Sequence, residues 1–153
     1  RDRFMGMRNF TIETMDGKKL AWANSNWTHL AISTGIPVRL TPADTDNYIL
    51  GEKLEMDYAP RKIKLPDDMT SQESFTVQKH HLDTNHHVNN CQYICMAEDF
   101  LPEDFKVYQM RAEYKKAALL GDMVVPYIHI EEKKCTVLLC DEAQKPYAVV
   151  EFQ

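Results

Sequence analysis

At 153 residues, with 44% hydrophobic and 27% charged residues, the chain has the composition of an ordinary globular protein and is long enough to bury a core. A net charge of −5 argues against general nucleic-acid binding, and no apolar run approaches the roughly 18 residues that span a bilayer. With no signal-peptide core in the sequence, a cytoplasmic protein without a membrane partner is the expectation.

The chain is strand-like almost from the start, with Met5, Met7, Phe10, Ile12 and Thr14 set among more polar neighbours. Asp16-Gly17 is a hairpin turn signal. The second strand it predicts puts Leu20 and Trp22 on one face and Ala21, Ala23, Ser25 and Trp27 on the other, and reaches Ile32. From Gly35 to Thr70, Pro37, Pro42, Pro60 and Pro66 punctuate a stretch without period, which reads as an ordered connector. Within it, Thr41-Pro42 followed by Ala43 to Leu50 and then Gly51 predicts a short capped helix. Phe75, Val77 and Lys79 then alternate with Thr76 and Gln78. Tyr93, Ile94, Ala97, Phe100 and Leu101 recur at helical spacing until Pro102, predicting a helix of about a dozen residues capped by Asn89 or Asn90. Strands follow over 105–120, 123–131, 135–140 and 146–152. One strand, one helix and then an antiparallel meander define an α+β fold, a sheet wrapped around a helix that is apolar on more than one side.

Between the alternating run and the helix lies His80-His81-Leu82-Asp83-Thr84-Asn85-His86-His87-Val88-Asn89-Asn90, where an acid, an amide and several imidazoles crowd together. If Asp83 to His87 is extended, Asp83, Asn85 and His87 share one side; a helix would turn Asn85 away. The three would then stand at a helix N-terminus, where unpaired amides and the dipole favour negative charge and an oxyanion could be stabilised. The structural alternative makes Asp83 a turn residue, Asn89 and Asn90 caps, and His87 a satisfied histidine.

Asp83-Thr84-Asn85-His86-His87-Val88-Asn89-Asn90 followed by Tyr93-Ile94 resembles the Asp-x-Asn-x-His-Val-Asn-Asn-x-x-Tyr-Ile signature of plant and bacterial acyl-acyl-carrier-protein thioesterases. Ser25-x-Trp27, and Glu113-Tyr114-Lys115-Lys116 leading to Gly121-Asp122, add weaker matches. The resemblance implies tandem hot-dog domains, each a curved antiparallel sheet around a long helix. On that map, residues 1–34 are late strands of a partial first hot dog, 35–74 an inter-domain linker with a short helix, and 75–153 a nearly complete second hot dog carrying the catalytic motif. The first domain's helix and early strands are missing on this map, so the sequence is expected to be a fragment.

The activity implied is hydrolysis of a fatty acyl thioester, with acyl carrier protein bearing the phosphopantetheine-linked acyl chain as partner and substrate. The resemblance assigns catalysis to Asp83, Asn85 and His87. The roles expected of them are that Asp83 activates water or attacks directly, Asn85 orients the water, and His87 moves protons or polarises the carbonyl. No cofactor is expected and, without a spaced His/Cys/carboxylate motif, no metal; a homodimer and acyl-CoA as substrate stay open. One departure matters: family members commonly carry an acid after the basic pair, and in plants a cysteine beside it, where this chain reads Ala117-Ala118. A noncatalytic acyl-chain or carrier-binding module is the alternative that departure raises.

The other reactive side chains read as structural. Cys91, Cys95, Cys135 and Cys140 suit neither a zinc cage nor an obvious disulfide, and buried free thiols are expected. Adjacent histidines in an extended chain point apart, and no spaced ligand motif accompanies them. Lys115, Lys116, Arg61 and Lys62 could meet an acidic carrier, or be a solvated surface.

Overall fold

The computed structural model describes residues 4–153 and divides the chain into two compact units, one ending at Ala59 and the other running Pro60–Gln153. The expected linker, 35–74, is shared between them.

The first unit is built on an antiparallel hairpin of β1 (Met5–Glu13) and β2 (Lys19–Thr28), in register from Met5↔Thr28 to Ile12↔Ala21, with an irregularity before Glu13. The five-residue turn Thr14–Lys18 closes because Gly17 takes φ +85, a conformation that costs glycine nothing. Asn9 anchors the later chain, donating to the Tyr58 hydroxyl at 3.1 Å and accepting from the Leu54 amide at 3.5 Å. Met7, Trp22 and Trp27 remain more than half exposed on the hairpin. The predicted helix after Thr41 is only one turn, α1 (Pro42–Thr45), with Asp44 accepting from the Thr41 amide. Its apolar residues Tyr48, Ile49 and Leu50 are exposed, so no packed face exists to extend it beyond the cap.

The second unit is an antiparallel sheet with one helix. Its strands are β3 (Thr70–Ser71), β4 (Phe75–Thr76), β5 (Met110–Tyr114), β6 (Met123–Glu131), β7 (Lys134–Cys140) and β8 (Pro146–Phe152). They are ordered β3-β6-β7-β8-β5, with β4 also on β6. The expected α+β class holds, but the meander is incomplete: β5 pairs with β8 at the far edge rather than with β6, the next strand in sequence. The predicted strand over 105–120 shortens to Met110–Tyr114, because the Lys115 and Lys116 amides both turn to the Tyr147 carbonyl and the Ala118 amide goes to the Tyr93 hydroxyl.

The helix, α2 (Asn90–Glu98), is shorter than expected and packs on β7 and β8 through Tyr93, Met96 and Ala97. Facing it at period two are Cys135, Val137 and Leu139 from β7, and Ala148, Val150 and Phe152 from β8, all buried. Each such side chain contributes roughly 1.5–3 kcal/mol by leaving water, so truncating Leu139 to Ala is expected to cost about 2–5 kcal/mol. The other face of the helix is open: Cys91 and Cys95 on it are exposed, against the expectation of buried free thiols, while Cys135 and Cys140 are buried as expected. On the sheet's outer face, buried Glu151 pairs with Arg111 at 2.9 Å, and Arg111 also donates to the Pro60 carbonyl at 2.6 Å. Ile63 donates its amide to Glu113 at 3.1 Å, so residues 60–63 are fastened over that face.

Candidate active site

The signature stretch is not extended. Lys79–His81 form a 3-10 turn, Leu82 and Val88 bridge antiparallel, and residues 83–87 make a tight loop between them. The Asp83 amide donates to the His87 carbonyl at 2.8 Å and the His86 amide to the Asp83 carbonyl at 3.1 Å. This is a three-residue hairpin loop whose last member, His86, sits at φ +61, a left-handed position more often given to glycine or asparagine.

What closes the loop is the Asp83 carboxylate. Its Oδ1 accepts the Asn85 amide at 2.8 Å and the His87 amide at 3.3 Å, while among the described residues Oδ2 has only the Asn85 side-chain amide at 3.5 Å. Partial burial pushes this carboxyl up, but the two backbone amides, the Asn85 side chain and the neighbouring His87 outweigh it, leaving it below the usual carboxylate range. Asp83 is therefore an anion at neutral pH, with one oxygen committed to the loop and the other nearly unengaged.

His81 and Asn89 fix this loop to the helix. The His81 ring accepts the Gln78 amide through Nδ1 at 2.9 Å, and its carbonyl accepts the Asn89 amide at 2.9 Å. Burial, and then the charge of His80, push the His81 pKa down. The rings of His80 and His81 do not point apart; the 3-10 turn brings their centroids to 4.1 Å. Asn89 is the N-cap, accepting the Cys91 amide on Oδ1 and the Gln92 amide on its carbonyl, both at 2.9 Å. Sequence reasoning expected a row of free amides here; the cap occupies two of them and leaves that of Asn90.

Asp83 and His87 line one hollow of about 260 Å³ together with Asn90, Tyr93, Tyr114, Lys116 and Ala117; Asn85 is not in its wall. The structure thus brings two of the three signature residues to the same space and turns the third toward the Asp83 carboxylate. Two tyrosines outside the expected catalytic set, Tyr93 and Tyr114, also line the hollow. The Tyr93 hydroxyl accepts the Ala118 amide at 2.8 Å, and the Tyr114 hydroxyl donates to the Asn90 carbonyl at 3.2 Å. Burial raises the pKa of both, so they remain neutral hydrogen-bonding groups. In the sequence Tyr93 stands in the signature match and at helical spacing, and Tyr114 in the weaker Glu113-Tyr114-Lys115-Lys116 match; neither is singled out there for the site. A larger hollow of about 780 Å³ lies at the opposite end of the sheet, against Phe105, Tyr108 and Ile130, and holds none of the signature residues. Among the described residues, no group of three or more His, Cys, Asp or Glu side chains is placed to hold a metal ion, and no helix is long and apolar enough to cross a membrane.

A sheet wrapped on one helix, with a polar loop leading into the helix start, defines a hot-dog fold, and solved structures agree. An acyl-ACP thioesterase from Bacteroides thetaiotaomicron matches with a TM-score of 0.86 at 22% identity, over 98% of this chain and 63% of that one. A putative oleoyl thioesterase from Lactobacillus plantarum matches with a TM-score of 0.78 at 22% identity, over 99% of this chain and 62% of that one. The 12:0-ACP thioesterase from Umbellularia californica matches with a TM-score of 0.84 at 17% identity, over 100% of this chain and 63% of that one. The chain therefore spans less than two thirds of the length of each. No curated protein matched it in sequence. The family model for the acyl-ACP thioesterase C-terminal domain matches residues 63–148, more than half of the chain, so this protein belongs to the acyl-ACP thioesterase family.

Proposed function

We propose that this protein hydrolyses fatty acyl thioesters carried on acyl carrier protein, releasing free fatty acid and the carrier's phosphopantetheine thiol. The observation that supports this reading is the convergence of Asp83 and His87 on one hollow at the start of α2, in a chain of this family.

The environment suggests how the roles divide. A carboxylate held below its usual range is a poor proton acceptor, so His87 takes the proton as water attacks the acyl carbon, and Asp83 stabilises the imidazolium that forms. The Asn90 amide is the helix-start donor available to the oxyanion. Collapse of the tetrahedral intermediate breaks the carbon–sulfur bond, and His87 returns the proton to the departing thiolate. Asn85 acts through Asp83, as a positioning residue.

Free-thiol release from a panel of acyl-carrier-protein and acyl-CoA substrates tests this, beside the His87→Ala and Asp83→Asn variants. The expected result is turnover on the carrier-bound substrates that both folded variants lose. Retained turnover in either would sink the assignment.

Ala117 favours a second reading. It lies in the wall of the hollow where family members commonly carry an acid, so a noncatalytic acyl-chain or carrier-binding module would also fit. A binder would shift its melting temperature with acyl-carrier protein and release no thiol; Ala117→Glu would then be the substitution to restore turnover.

A further inference from the structure

Free cysteine is among the most buried of residue types, and Cys135 and Cys140 follow that rule. Burial pushes both thiols up, Cys140 to about 11 with help from Asp141, so they are inert. Cys91 and Cys95 break the rule together. Both are exposed, and they stand four residues apart on α2, which puts them one above the other on the same helix face. The turn that carries Cys91 is capped by Asn89, which takes both the Cys91 and the Gln92 amides at 2.9 Å.

Geometry decides what such a pair can hold. Side chains four apart on a helix have Cβ atoms about 5–6 Å apart, whereas a disulfide needs about 3.5–4.5 Å. Bridging them directly would break the first turn of α2. At metal–sulfur distances near the roughly 2.3 Å of zinc thiolates, an ion held between two thiolates keeps the sulfurs up to about 4.5 Å apart, a span that a pair with Cβ atoms about 5–6 Å apart can reach. Because no third His, Cys or carboxylate is placed to complete a site among the described residues, a tetrahedral zinc centre does not fit, and a soft two-coordinate ion does. Partial loss of water at the sulfur, then Cys91 and the charges of Glu98 and Asp99, hold the exposed Cys95 thiol up in the free protein, and a bound cation removes that opposition by displacing the proton.

We infer that Cys91 and Cys95 form a two-thiolate binding site for a soft monovalent cation, Cu(I) in the simplest case, on the open face of α2. The site is independent of the thioesterase reading, and its test needs no substrate. The reduced full chain is titrated anaerobically against Cu(I) held by a chromophoric chelator, beside Cys91→Ser, Cys95→Ser and the double variant, with circular dichroism to confirm that all four fold. The expected result is one equivalent withdrawn per chain, at least tenfold weaker in each single variant and absent in the double, with two sulfur neighbours seen by X-ray absorption. Unchanged affinity in either single variant would overturn the proposal. So would conversion of the pair to a disulfide, seen as the loss of two hydrogens by mass spectrometry without retained copper.

Discussion

Asp83–His87 and Asp141–Lys145 are two loops of the same build set to different uses. In each, the aspartate amide donates to the carbonyl four residues on, and the amide of the fourth residue returns to the aspartate carbonyl. In each, the aspartate Oδ1 gathers the amides of the third and fifth residues, at 2.8 and 3.3 Å for Asp83 and at 3.0 and 2.8 Å for Asp141. His86 at φ +61 and Gln144 at φ +59 occupy the same left-handed position. The difference lies in the second carboxylate oxygen. In Asp141 it is taken by the Lys116 ammonium at 3.0 Å; in Asp83 it has a single 3.5 Å contact and shares a hollow with His87. The loop is thus a structural device of this chain, and an aspartate at its head is not by itself a sign of catalysis. On the proposed reading, chemistry attaches to the copy whose outer oxygen is left open beside an imidazole.

That contrast can be broken experimentally, beginning with the fifth loop position. His87→Ala should lower kcat by about 10²–10⁴-fold if His87 is the proton carrier, whereas Lys145→Ala at the matching position should leave it unchanged; thiol release measures both. Next comes the shared scaffold. Asp83→Ala and Asp141→Ala each strand two amides, so both should lower unfolding free energy by about 1–3 kcal/mol in urea, to similar extents. Asn85→Ala gives the site loop the residue its twin has, Ala143. The backbone amide that closes the loop survives, so a loss of about tenfold in kcat with unchanged KM is expected; a collapse of stability would show that the Asn85 side chain is structural instead. Smaller still, His86→Gly and Gln144→Gly should each change stability by no more than about 1 kcal/mol, relief of the left-handed strain being partly offset by glycine's flexibility when unfolded.

Acid should treat the two loops alike. Both aspartates lie below the ordinary value of 3.8 in the folded protein, Asp83 through its loop amides against the opposing effect of burial and Asp141 chiefly through the Lys145 amide and then Lys116. A lowered folded pKa means that each contributes stability fully present above pH 3.8 and lost as pH falls through the folded value. Melting temperature followed from pH 6 to about pH 2 should therefore fall less steeply in Asp83→Asn and Asp141→Asn than in the parent.

The same loops mark how far the sequence could be read. Asp16-Gly17 announced its turn because glycine occupies the left-handed position; His86 and Gln144 occupy it without any such signal, and alternation across 83–87 suggested a strand instead. The strands β1, β2, β6, β7 and β8 were legible because apolar alternation and short turns are local properties. The true length of β5 was not, because its amides are captured by Tyr147 and Tyr93, partners that only the folded chain brings near. Asp83 and His87 stood out by residue type and by family resemblance. That Asn85 leans on Asp83 rather than facing the hollow depended on a turn the pattern did not show.

On the proposed reading, the open oxygen of Asp83, not the loop that carries it, is what the chemistry uses. Asp83→Asn and Asp141→Asn are a matched pair, since in both asparagine keeps the oxygen that accepts the loop amides and replaces the charged outer oxygen, an acceptor for Asn85 or Lys116, with an NH2 donor. Thiol release from acyl-carrier protein by the two folded variants, side by side with the parent, is the most direct test. The expected result is a loss of at least 10²-fold in Asp83→Asn with near-parental turnover in Asp141→Asn. Equal turnover in the two, whether both retained or both lost, would contradict it.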